Sequence, residues 1–243
     1  MRKLSDQSRR RLLRYFSKLD DHDITYVVLR KYEHLPDYVP SDIDLLVDAD
    51  EFDFAVELAE HVGFERPTNA KKPQPLLKKL RTRPLSVAKT VISSPEALVE
   101  ALFGSREVDA GDYELRQRQS GAVKLDMVNH LRFPERGGRT VPLAVEELML
   151  DRRKRYEEWY VPSPPDELAH IIVHCLVDYD RTFPEYYVGR YTRLRKQVFS
   201  DPTYEAQFKE LLELFFGEEA RTVFDTLSTA DPDSITEPLL VER

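Results

Sequence analysis

The chain has little cysteine, little glycine and no long apolar run, and each scarcity removes a class of protein. Its one cysteine, Cys175, leaves no internal disulfide framework and no cysteine-based zinc finger. Eight glycines stand against sixteen prolines, and no glycine occurs between Met1 and His61. Neither Gly-x-Gly-x-x-Gly nor a Walker-type loop is present, so the two commonest nucleotide folds are excluded. No apolar run approaches the roughly 18 residues of a membrane span. The opening Met-Arg-Lys-Leu-Ser-Asp develops no apolar signal core, so the expectation is a cytoplasmic chain without a membrane partner. With 44 acidic against 36 basic residues the net charge is -8, which argues against a general nucleic-acid coat. A local basic patch for phosphate is compatible with that balance.

What is present is enough apolar sequence, 41% of 243 residues, to build a core of one large or two small domains. Ser5 is placed to cap a helix in which Leu12, Leu13, Phe16 and Leu19 repeat at helical spacing. Arg9, Arg10, Arg11 and Arg14 occupy its other face. Ile24–Leu29 is β-branched and aromatic and reads as a buried strand, followed by a proline-bearing loop from Arg30 to Ser41. Ile43–Val47 reads as a second strand. Phe52, Ala55, Leu58, Ala59 and Val62 then share one helical face, and Gly63 ends that helix. A further helix is expected from Ser94 to Phe103, and a hairpin of Tyr113–Arg118 with Val123–Val128. Beyond Val141 the pattern is helical, with apolar stripes at Leu168–Leu176, Tyr187–Val198, Tyr204–Phe216 and Ala220–Leu227. The reading is an α/β (α+β) domain over 1–138 and a helical domain over 139–243, joined softly between 138 and 162, with a short loose tail.

The stretch Ser41-Asp42-Ile43-Asp44-Leu45-Leu46-Val47 carries the most chemistry. Residues two apart in a strand share a face, so Asp42 and Asp44 present carboxylates side by side while Ile43, Leu45 and Val47 point to the core. Two like charges at a strand end repel and require a positive partner. Hard divalent ions prefer oxygen ligands, and magnesium typically takes one or two carboxylates plus substrate phosphates. A loop-end Asp42 and a salt-bridged Asp44 explain the spacing equally well. Asp126 lies in the apolar strand Lys124-Leu125-Asp126-Met127-Val128, where a lone carboxylate is costly unless paired or metal-bound. Beside the first pair it completes a cluster suited to two metal ions; at a hairpin edge it faces water.

Strand, loop, Ser-Asp-Ile-Asp-Leu-Leu-Val and a third aspartate on a later strand together resemble the nucleotidyltransferase superfamily of the polymerase β type. The resemblance covers roughly Ile24 to Val128, and the helical remainder is similar to the helical domains many members append. It implies a nucleotidyltransferase-like mixed sheet with flanking helices. It also implies two magnesium ions held by Asp42, Asp44 and Asp126, a nucleoside triphosphate as donor, and a hydroxyl or phosphate as acceptor. The acceptor is open among a small molecule, an RNA end and a protein. Members carry a glycine followed by glycine or serine after the first strand; this chain has Val28-Leu29-Arg30-Lys31-Tyr32 there. Where the chain departs from that pattern, Arg30, whose guanidinium suits phosphate, is the phosphate-contact candidate, with Ser41 beside the aspartates as a second. The run Leu29, Arg30, Tyr32, Glu33, Leu35, Pro36 looks like a divergent branch of that superfamily.

Other features admit quieter explanations. The basic stretch Lys71–Lys89 suits a triphosphate or an anionic acceptor, and equally a solvated loop. His170 and His174 have zinc spacing but no further ligands in view, which favours a role lining a cleft. Tyr186, Tyr187 and Tyr191 are placed to stack on a base or simply to pack. The rival functions are a non-catalytic nucleotide- or partner-binding module of the same fold, and a toxin–antitoxin-type nucleotidyltransferase acting on RNA or protein.

Overall fold

The structure is a computed structural model that describes residues 1–40, 42–65, 112–117, 123–131, 143–178 and 183–229. Ser41, the basic stretch Lys71–Lys89, the helix expected at Ser94–Phe103 and the tail lie outside the described residues. The described residues belong to one compact unit, a mixed α/β arrangement.

A two-residue strand β1 (Arg2–Lys3) leads into helix α1 (Asp6–Asp21). Ser5 caps α1 as its sequence suggests, accepting from the Ser8 amide at 3.2 Å. Strand β2 (Tyr26–Val28) follows, then β3 (Tyr38–Val39), which pairs with β1, then β4 (Ile43–Val47). Helix α2 (Phe52–His61) stops where Gly63 takes a φ of 101° that a side chain resists. Strands β5 (Phe64–Glu65), β6 (Asp112–Gln117) and β7 (Lys124–Val128) complete the main sheet, whose order is β2-β4-β7-β6-β5. Only the β4–β7 pairing is parallel; the other three are antiparallel, including the expected β6–β7 pair.

Strand alternation sorts the side chains into two apolar layers. Tyr26, Val28, Ile43, Leu45, Val47, Leu125 and Met127 pack with Leu12, Phe16, Ala55 and Ala59 of α1 and α2. Val27, Leu29 and Leu46 turn to the opposite face, where they join the helices of the C-terminal half. Those are α3 (Leu143–Asp151), α4 (Pro164–Asp178), α5 (Glu185–Phe199), α6 (Pro202–Phe216) and α7 (Ala220–Thr229). The stripes read from sequence are buried as expected: Tyr187, Tyr191, Leu194 and Val198 on α5, and Phe208, Leu211 and Leu212 on α6. The sheet is therefore covered on both faces, which is why β4 reads as almost continuously apolar.

Between α3 and α4 a hairpin of β8 (Lys154–Tyr156) and β9 (Trp159–Val161) folds back against the first apolar layer. Trp159 is fully buried there, 5.5 Å from the ring of Phe16. Truncating it leaves a cavity among large side chains that cannot collapse into it. Trp159→Ala should therefore lower the unfolding free energy by roughly 3–5 kcal/mol, measured by urea titration with far-UV circular dichroism. A loss below about 1 kcal/mol would mean that the hairpin does not belong to the core.

Candidate metal centre

Two parallel strands bring the carboxylates together. In the β4–β7 register Asp44 stands opposite Asp126, and Asp42 immediately precedes β4. Because Ile43 and Leu45 face α1 and α2, Asp42 and Asp44 are directed to the other face, the one covered by the C-terminal helices. Asp126 alternates likewise between buried Leu125 and Met127. One oxygen from each of Asp42, Asp44 and Asp126 lies within 4.8 Å of the others. Among the described residues this is the only group of three or more such ligands.

The strands holding these groups are fixed from behind. The Tyr15 hydroxyl of α1 reaches the Ala55 carbonyl of α2 at 3.3 Å and the Met127 sulfur at 3.6 Å, tying both helices to β7. Past the end of β7 the chain is caught by buried Glu146 of α3, which accepts from the Leu131 amide at 2.5 Å and bonds His130 Nδ1 at 2.9 Å. Burial raises the Glu146 carboxyl above the ordinary range, with the His130 bond opposing it.

Three carboxylates need counter-charge, and among the described residues Lys124 and Arg30 supply it. Lys124 Nζ lies 2.8 Å from Asp126 and 3.6 Å from Asp42. Arg30 Nε donates to Asp44 Oδ2 at 2.7 Å, in a pair whose side chains are only 21% and 15% exposed. The backbone explains why Arg30 arrives there: the Leu29 amide donates to the Asp44 carbonyl at 3.0 Å, so the chain leaves the sheet beside that residue. It then turns at Lys31, whose φ of 57° is left-handed without a glycine. Burial pushes the Asp126 carboxyl up to about 6; Lys124 opposes this, and the charges of Asp42 and Asp44 add to it.

The loop after Arg30 is anchored to the C-terminal helices. The Tyr32 hydroxyl donates to Glu167 at 2.7 Å, and Arg190 Nε donates to the same carboxylate at 2.7 Å. Arg190 also pairs with Glu33 at 3.2 Å, and the Tyr186 hydroxyl donates to Glu33 at 3.1 Å. Burial raises the Glu167 carboxyl, while the bonds from Arg190 and Tyr32 favour its charged form. Tyr186 and Tyr187 carry the Lys31 ammonium over their rings, at 5.8 and 5.7 Å. His174 accepts from Arg30 Nη1 and stacks on His170, so this pair lines the helix side of the centre.

Sequence reasoning picked out Asp42, Asp44, Asp126 and Arg30, and the structure brings all four together; Ser41 lies outside the described residues. It missed Lys124, although alternation places residues 124 and 126 on one face of the strand. It also missed Glu167 and Arg190, which meet the loop only through the tertiary fold. All-oxygen donors at this separation fit a hard divalent cation better than zinc, which favours nitrogen and sulfur. No protein-family model, curated protein or solved structure matches this chain. Among the described residues no helix is long and apolar enough to cross a membrane.

A pH test of the charge cluster follows. A carboxyl raised to about 6 contributes stability at low pH that is lost as pH climbs through that value, because the fold then holds an unwanted charge. Asp126→Asn removes the charge. Without divalent ions the variant should melt higher than wild type near about pH 8, and the gain should shrink toward about pH 5. An equal or lower melting temperature at the higher pH would contradict the assigned cost of burying this charge.

Proposed function

We propose that this chain is a divergent nucleotidyltransferase of the polymerase β type, transferring a nucleoside monophosphate from a nucleoside triphosphate to a hydroxyl or phosphate acceptor. The observation that carries the reading is the convergence of Asp42, Asp44 and Asp126 within 4.8 Å on two neighbouring parallel strands. A mixed sheet with helices on both faces, and with Asp44 and Asp126 opposite each other on β4 and β7, suits the resemblance read from the sequence.

Asp42 and Asp44 would hold magnesium, with Asp126 as third ligand. When bound, the ions neutralise the triphosphate and acidify the acceptor hydroxyl. The acceptor oxygen forms a bond to the α-phosphorus, the bond to the bridging oxygen breaks and pyrophosphate departs. Asp126 is the residue best placed to take the acceptor's proton. Lys124 holds Asp126 and Asp42 in position through its ion pairs with them. Arg30 offers a planar two-point donor to a phosphate, a contact that a lysine does not reproduce. Positioning and electrostatics supply the catalysis, as is usual in phosphoryl chemistry.

A second reading, a non-catalytic binding module, is favoured by the loop after β2. The family's glycine pair is replaced there by Arg30 and Lys31, and Arg30 is bonded to Asp44.

Transfer of labelled α-phosphate from each nucleoside triphosphate separates the two. Wild type with magnesium should label an acceptor or itself, Asp42→Asn and Asp44→Asn should abolish the labelling, and Asp126→Asn should still bind nucleotide while losing transfer. Nucleotide binding with no transfer to water, small-molecule hydroxyls, RNA or protein would favour the binding module. Neither binding nor transfer would remove the nucleotide from the account.

A further inference from the structure

Arg30 holds two groups at once. Its Nε donates to Asp44, and its Nη1 donates to Nε2 of His174 on α4. A guanidinium has donors only, so in this contact His174 Nε2 is the acceptor. His174 is itself fixed, stacked on His170 at 6.1 Å and edge-on to Tyr187 at 5.5 Å. The loop beyond Arg30 is held by Tyr32 and Glu33 on Glu167 and Arg190, so the side chain pivots from a rigid base.

The pair is poorly hydrated, and a single carboxylate serves both Arg30 and any cation that binds Asp44. A divalent ion and a guanidinium sharing it would be like charges in close contact. We propose that Arg30 is a tethered counter-ion which a divalent cation displaces from Asp44, and that His174 is the positioning residue that retains the displaced guanidinium at the rim of the site. The proposal rests on reading the three carboxylates as a cation site. Held there, Arg30 is presented to an anionic phosphate ligand only after the cation is in place, which orders the two binding events. Removing Arg30 should then act in opposite directions on the two ligands, strengthening the cation and weakening the phosphate.

Calorimetric titration with manganese ion alone, then with inorganic pyrophosphate, tests this. Wild type should bind and Asp44→Asn should not. Arg30→Gln should bind about tenfold tighter than wild type, since the charge-assisted bond to Asp44 no longer competes. Arg30→Lys should fall between them, because it keeps the charge but loses the fork. His174→Phe keeps the ring packing and removes the acceptor, so with manganese present inorganic pyrophosphate, which wild type should bind, should bind about threefold more weakly as the displaced Arg30 is no longer retained. It also decides the matter if Arg30→Gln does not fold. Unchanged or weaker manganese affinity in Arg30→Gln, or unchanged pyrophosphate affinity in His174→Phe, would overturn the proposal while leaving the cation site standing. Absence of binding in wild type and in both variants would overturn the proposal together with the site.

Discussion

Mutual repulsion among three carboxylates shapes the architecture around them. Asp44 and Asp126 stand opposite each other on neighbouring strands, with Asp42 just before the first, and all three side chains are partly buried, so water alone does not dissipate their charge. Such groups are held by cationic partners or have their charged form disfavoured, and both responses occur. Lys124 bridges Asp42 and Asp126, Arg30 covers Asp44, and the Asp126 carboxyl is lifted to about 6. Three carboxylates gathered this closely offer the all-oxygen donor set that a hard divalent ion prefers.

Delivering Arg30 to that centre is the task of the loop after β2. A glycine-poor chain makes its turns with side chains in place, and Asp23, Lys31 and Glu157 all adopt left-handed φ values. At Lys31 this conformation costs on the order of 1 kcal/mol, and contacts around the turn offset it. The Leu29 amide bonds the Asp44 carbonyl on one side of the turn, and on the other Tyr32 and Glu33 enter the Glu167–Arg190 cluster. The helical half thus does more than cover the sheet: α4 and α5 set the position of the residue that neutralises Asp44.

The elements that hold the site could be read from the sequence because they are long or strongly patterned. Alternation in β4 and β7, the Ser5 cap and the apolar stripes of α1, α5 and α6 are local signals that the packing reinforces. The pairs β1–β3 and β8–β9 were not legible, since strands of two or three residues show no periodicity. The β8–β9 turn also carries Glu157 at a φ of 52° where a glycine would have announced it. Within the site, Asp42, Asp44 and Asp126 stood out as charges in apolar strands. The Arg30–His174 and Glu167–Arg190 contacts join residues more than twenty positions apart, and no spacing rule reaches them.

The claim that the three carboxylates form a divalent cation centre is tested most directly by crystals soaked in a manganese salt, with anomalous diffraction recorded at the manganese absorption edge. The account predicts an anomalous peak bound by Asp42, Asp44 and Asp126, with Arg30 withdrawn from Asp44. A map with no peak at these residues, and with Lys124 and Arg30 still on their carboxylates, would contradict it.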